Sequence, residues 1–122
     1  MPDSRNPQDF LPLRPIEFEI LLVLMGGTAH GYAIIKEANE RWPGASPLET
    51  GTLYRALRRV TTAGLVMPSE RKSTDDGEDE RRRYFAITSL GKSVASAEAR
   101  RLSAQVDVAR ARQLLSGAGG GS

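Results

Sequence analysis

Between Pro15 and Met25 nearly every position is apolar: Ile16, Phe18, Ile20, Leu21, Leu22, Val23, Leu24 and Met25 cover almost all sides of a helix. Pro15 suits its first position, and Gly26-Gly27 stop it. A helix that is apolar all round has to be buried all round, so in a chain this small a second copy is expected to supply part of the cover. Phe18, Leu21, Leu22 and Met25 are the residues expected at that contact. A second helix is predicted from Ala29 to Trp42, capped by Thr28 and stopped by Pro43-Gly44. Residues 1–14, with Pro2, Pro7 and Pro12 among polar neighbours, read as a flexible arm whose Phe10, Leu11 and Leu13 are available to pin its end to a core.

The most informative stretch is Gly51-Thr52-Leu53-Tyr54-Arg55-Ala56-Leu57-Arg58-Arg59-Val60. At 100° per residue, Leu53, Leu57 and Val60 fall within about 60° of one another. Gly51, Arg55, Arg58, Arg59 and Thr62 gather opposite, with Thr52 and Tyr54 on the flanks. The start of this helix lies between Pro47 and Gly51. Ser46 with Glu49 would make a capping box, whereas Glu49 or Thr50 would cap a later start. Its end is marked by Gly64 as a left-handed cap, with Leu65 folding back as the apolar partner.

Two strands are predicted at about 65–71 and 82–88, joined by a long polar loop. Pro68 marks the first as an edge strand. Alternation in the second turns Phe85 and Ile87 inward, and Arg82 and Tyr84 to the other face. Thr88 then caps a long helix reaching about Leu115. Along it Val94, Ala97, Leu102, Val106 and Ala109 keep a spacing close to seven residues, the pattern of a dimerisation seam. Being rich in Ala and Val, this stripe buries little area per turn, so it is expected to pack on the partner's first helix as well. The tail from Gly117 to Ser122 reads as a flexible Gly-rich linker. The order of helix, helix, turn, helix, two-stranded wing and long helix predicts a mostly α fold: a winged helix-turn-helix over 15–88, then a dimerisation helix over 89–115.

Charge sharpens this picture. The net charge of the 122-residue chain is only +2. Residues 1–47 carry four basic and six acidic groups, whereas 48–122 carry thirteen and nine. Five of those nine acids sit between Asp75 and Glu80, so the rest of the second half is strongly basic. An apolar-backed helix showing Arg, Thr and Tyr suits a phosphate-lined groove, which makes double-stranded DNA the leading partner. Thr52 and Arg55, near the helix start, are candidates for base edges, Arg55 by a bidentate grip on guanine. Tyr54, Arg58 and Arg59 are candidates for phosphates, Gly51 for close approach of the backbone, and Thr50 is a further candidate DNA contact. Arg71, Lys72, Arg81, Arg82, Arg83 and Tyr84 would carry the wing's contacts. The plainer alternatives are a solvated helix face and an edge strand kept soluble by charge. The acidic run is either a loop that swings clear of the duplex or simply a solvated loop. It lacks the spacing of a calcium-binding loop.

Other chemistry is poorly represented. With no cysteine, disulfides, thiolate chemistry and zinc-finger ligation are excluded. No nucleophile–base pair, metal cluster or phosphate-cradling glycine loop is recognisable, so neither an enzyme, a metal site nor a cofactor is expected. His30, the sole histidine, reads as a packing and capping residue, and Tyr32, Ile34 and Ile35 as core. Trp42, the sole tryptophan, either packs a helix end or borders an effector pocket. No apolar run reaches the roughly 18 residues of a membrane span, and no secretory signal is recognisable, so the cytoplasm is the expected location.

The chain resembles the PadR family of bacterial transcriptional regulators in its short form. The resemblance is carried by Leu11-Pro12-Leu13-Arg14-Pro15, His30-Gly31-Tyr32-Ala33-Ile34, Gly51-Thr52-Leu53-Tyr54-Arg55-Ala56-Leu57, Gly64-Leu65-Val66, Arg81-Arg82-Arg83-Tyr84-Phe85, and Ile87-Thr88 with Gly91. These pieces occur in order over about residues 10–112. The resemblance implies a homodimer that represses promoters at an inverted repeat and, in many members, lets go when a small effector binds. Two other classes remain open on the residues alone. One is a multidrug or metabolite sensor with secondary DNA contact, and the other a winged-helix protein-interaction module.

Overall fold

A computed structural model describes residues 5–42, 46–70 and 83–115. Its elements are α1 (Pro15–Met25), β1 (Ala29–His30), α2 (Gly31–Arg41), α3 (Thr50–Thr62), β2 (Val66–Ser69), β3 (Tyr84–Ile87) and α4 (Ser89–Ala111). The three strands form an antiparallel sheet in the order β1-β3-β2. β2 lies at the edge, where the missing N–H of Pro68 costs no ladder bond.

α1 is the hub of the core and packs against α2, α3, α4 and β3. Its Ile16, Ile20, Leu21, Val23 and Leu24 are buried within the one chain, leaving Leu22 and Met25 exposed and Phe18 half-buried. The expectation that an all-apolar helix demands a second copy is therefore corrected. Three helices and a strand converge on it, and they supply most of its cover. Leu21, Val94 and Ala97, expected at a subunit contact, are interior residues of the single chain for the same reason.

Three further expectations are revised. The N-terminal segment is built into the fold from Arg5 onward: Pro7–Phe10 form a 3-10 turn capped by Asn6, and Leu13 is buried. The pairing has three strands because Ala29 and His30 add β1 to β3. Two residues are too few for an alternating pattern to register. With β1 formed, α2 begins two residues later than predicted. Its cap is His30 rather than Thr28, the Nδ1 atom accepting from the Ala33 N–H at 3.0 Å. Similarly, the Ser46 capping box is not used, since α3 begins at Thr50 after Glu49. The end of α3 matches expectation: Gly64 has φ +87°, and the Leu65 N–H donates to the Val60 carbonyl at 2.9 Å.

α4 is capped by Thr88, whose Oγ1 accepts from the Gly91 N–H at 2.9 Å and donates to the Gly64 carbonyl at 2.7 Å. One hydroxyl thus joins the end of α3 to the start of α4. A Cβ at Gly91 would run into the Leu65 carbonyl oxygen, so only glycine lets α4 lie this close. From Leu90 to Glu98 the helix belongs to the core; after Glu98 every described residue is half-buried or exposed.

Glu98 is the polar keystone of this junction. It is 1% exposed and accepts from the Leu13 N–H at 2.9 Å and from the Arg101 guanidinium at 2.5 and 3.0 Å. Hydrogen bonding from Arg101, and secondarily from the Leu13 N–H, holds its carboxyl below the usual glutamate range, against the opposing effect of burial. Because the folded carboxyl binds its proton less tightly than the unfolded one, its stabilisation is complete above that range and fades as pH falls through it. Glu98→Ala strands the Leu13 N–H and is expected to lower unfolding free energy by about 1–3 kcal/mol in urea titrations. Glu98→Gln is expected to cost less and to remove part of the loss of stability on acidification; an unchanged acid profile in Glu98→Gln would contradict this role.

Candidate nucleic-acid interface

α3 is seated before it is aimed. Leu53, Ala56, Leu57 and Val60 are buried, and α3 packs on α1, α2 and β2. The turn leading into it is fixed by Leu48, itself buried, whose N–H donates to Asn39 Oδ1 at 2.6 Å. Asn39 was not singled out by sequence pattern, because a side-chain clasp across nine residues leaves no periodic signal.

With the apolar stripe inward, Thr50, Gly51, Tyr54, Arg55 and Arg58 are exposed, and Thr52 and Arg59 are half-buried. Of the three arginines expected on one face, Arg55 and Arg58 are exposed and Arg59 is half-buried. Arg55 donates to Thr52 Oγ1 at 3.2 Å, which places the two base-contact candidates side by side at the open end of the helix. A Cβ at Gly51 would meet nothing closer than the Arg55 guanidinium at 3.5 Å, so packing within the chain does not demand glycine there. Arg58 has no ion-pair partner among the described residues. Arg59 differs: its Nε lies 2.7 Å from Glu17 Oε2 on α1, so part of its charge is already answered inside the protein. A second α1 carboxylate, Glu19, holds Arg41 of α2 through contacts of 3.0 and 2.7 Å. The Glu19 hydrogen bond raises the Arg41 pKa further, with Glu37 contributing less.

On the wing, Arg83 is exposed beside α3. Arg71, Lys72, Arg81, Arg82 and the acidic run 75–80 lie outside the described residues, as do Pro43-Gly44 and the Gly-rich tail. Tyr84 is a correction. Expected on the outer face, it is 3% exposed, because β3 is the central strand and the His30 ring meets Tyr84 edge-on at 5.4 Å. Tyr84 is thus withdrawn as a DNA contact. Tyr32 is the opposite correction: assigned to the core, it is 66% exposed. Ile34 and Ile35 are buried as expected. Trp42 is half-buried against the core at the end of α2.

Between α3, the start of α2 and the wing stem lies an open cleft of about 540 Å³, lined among others by Tyr32, Tyr54, Arg58, Thr62, Pro68 and Arg83. No carboxylate among the described residues lines it. Among the described residues, no cluster of His, Asp or Glu is arranged to hold a metal ion, and no helix is long and apolar enough to cross a membrane.

A three-helix core, a small antiparallel sheet and an outward cationic third helix define a winged helix-turn-helix of the DNA-binding type. The sequence profile of the "Transcriptional regulator PadR-like family" matches residues 20–97, and the chain belongs to that family. Among solved structures, a PadR family transcription regulator from hypervirulent Clostridium difficile is 26% identical, with a TM-score of 0.65 over 78% of this chain and 94% of that one. The complex structure of hsRosR-S4 is 25% identical, with a TM-score of 0.65 over 81% and 78% of the two chains. RosR of H. salinarum is similar at 25% identity and a TM-score of 0.60, over 88% and 100%. No curated protein matches the chain. The protein is a DNA-binding transcriptional regulator of the PadR family.

The Glu17–Arg59 pair makes a specific prediction. Glu17→Gln keeps a hydrogen-bonding side chain for the Arg14 N–H but removes the charge opposing Arg59. DNA affinity is expected to rise a few-fold at low salt, and the dependence of log K on log salt to steepen by up to about 0.9. An unchanged slope in anisotropy titrations would mean that Arg59 stays clear of the phosphates.

Proposed function

We propose that this protein is a homodimeric repressor that reads an inverted repeat through α3 and lets go when a small effector binds. The observation that carries the DNA-reading half is the single exposed face bearing Thr52, Arg55 and Arg58, backed by a buried apolar stripe. Arg55 and Thr52 are assigned to base edges; Arg58, Tyr54 and the wing's Arg83 are assigned to phosphates. Arg71, Lys72, Arg81 and Arg82 extend the wing contacts in this reading.

The dimer reading rests on α4. Beyond Glu98 the helix continues to Ala111 with Val106 and Val108 exposed and Leu102 and Ala109 half-buried. A helical segment of this length, with no partner, is marginal in water. A second copy supplies the missing apolar surface, with Leu22, Met25 and Phe18 of α1 as the adjoining patch. Two-fold symmetry then sets the recognition helices about one DNA turn, roughly 10 bp, apart. The effector half follows the behaviour of many family members, with repression relieved when the ligand reshapes the subunit contact.

Two measurements test these assignments. Arg55→Ala is expected to relax preference at particular base pairs by about 1–3 kcal/mol, whereas Arg58→Ala weakens all duplexes alike and lowers the salt slope by about one. Identical, sequence-independent losses in both variants would overturn the division of roles. Leu102→Asp with Val106→Asp is expected to convert a dimer to a folded monomer in sedimentation. A monomeric wild-type chain at micromolar concentration would overturn the dimer.

A further inference from the structure

We propose that Tyr32, at the start of α2, is a contact to the DNA sugar–phosphate strand, and that the cleft it shares with Tyr54, Arg58 and Arg83 is the seat of that strand. This rests on the DNA-reading function above and adds an element to it, because the first turn of α2 then grips the duplex alongside α3 and the wing.

Three observations converge on Tyr32. It is the most exposed aromatic among the described residues, yet its ring has a neighbour. It stacks on the His30 ring at 6.3 Å and 28°, and His30 is in turn fixed by the Ala33 N–H and by the edge of Tyr84. An exposed phenol whose ring leans on a neighbouring ring offers a hydrogen-bond donor to a ligand, and its hydroxyl has no partner among the described residues.

The second observation is the neighbourhood. Tyr54 reaches the start of α2, where its phenol occupies the space a Cβ on Gly31 would need. Glycine at 31 therefore lets the tyrosines of α2 and α3 line one cleft. The third is charge: Arg58 and Arg83 line the same cleft, and among the described residues no carboxylate does. Two phenols, two guanidiniums and the positive end of a helix suit an anionic strand. Continuity with the exposed face of α3 makes that strand the backbone of the DNA that α3 reads, rather than a detached ligand.

The test uses the full chain as its wild type, Tyr32→Phe, Tyr32→Lys and Arg58→Ala, titrated by fluorescence anisotropy against a genome-selected duplex and a scrambled one between 50 and 200 mM salt. Tyr32→Phe keeps the ring and its stack on His30, so its melting temperature is expected to match wild type. Its affinity is expected to fall about 10- to 150-fold on both duplexes, as for a lost hydrogen bond to a charged group. The salt slope is expected to stay constant, because a neutral phenol releases no counterion. Tyr32→Lys is expected to steepen the slope by about one and Arg58→Ala to flatten it by as much. Wild-type affinity in Tyr32→Phe, or a loss confined to the selected duplex, overturns the proposal while leaving DNA reading intact. Failure of the wild-type chain to bind either duplex overturns both.

Discussion

The seating of α3 on α1 is the constraint on which the rest depends. Leu53 and Val60 of α3 meet the apolar interior built around Ile20 and Leu21, all four nearly or fully removed from water. Burying side chains of this kind is worth about 1.5–3 kcal/mol each, far more than any one exposed ion pair on the same helix. The rotation of α3 is therefore set by its back. The outward presentation of Arg55 and Arg58 is a geometric consequence of that choice, and both remain available to a ligand.

Electrostatics then divide the arginines. Arg59 turns toward Glu17 and Arg41 toward Glu19, so two carboxylates of α1 hold α2 and α3 from beneath. Arg55 and Arg58 face away from α1. Just before the start of α1, Glu98 ties the N-terminal segment to α4 through Leu13, so that the segment preceding α1 and the helix leaving the core meet at one buried carboxylate. Beyond that point α4 leaves the core, with Val106 and Val108 exposed and Leu102 and Ala109 half-buried.

Much of this was legible in the sequence, for identifiable reasons. The α3 stripe, the Gly64 cap and the Thr88 cap are signals local to a few residues, and each recurs in the structure. What eluded pattern reading was non-local. β1 is two residues long and exists only because β3 passes beside it. Tyr84 reads as an outward position by alternation, but a central strand flanked by His30 buries it. Tyr32 reads as core by composition, yet it lies on the outer side of α2 beside Ile34 and Ile35, which are buried. The all-apolar α1 implied a partner because the cover that three helices and β3 jointly give it was invisible before folding.

The chain contains no cysteine, which permits a direct test of the central claim. A single Thr52→Cys, coupled to an iron chelate that cleaves DNA within reach, reports where the start of α3 lies on a bound duplex. The account predicts cuts clustered in the major groove at the selected site, and none from the same chelate on Ser103→Cys of α4. Cleavage from Ser103→Cys with a silent Thr52→Cys conjugate would contradict it.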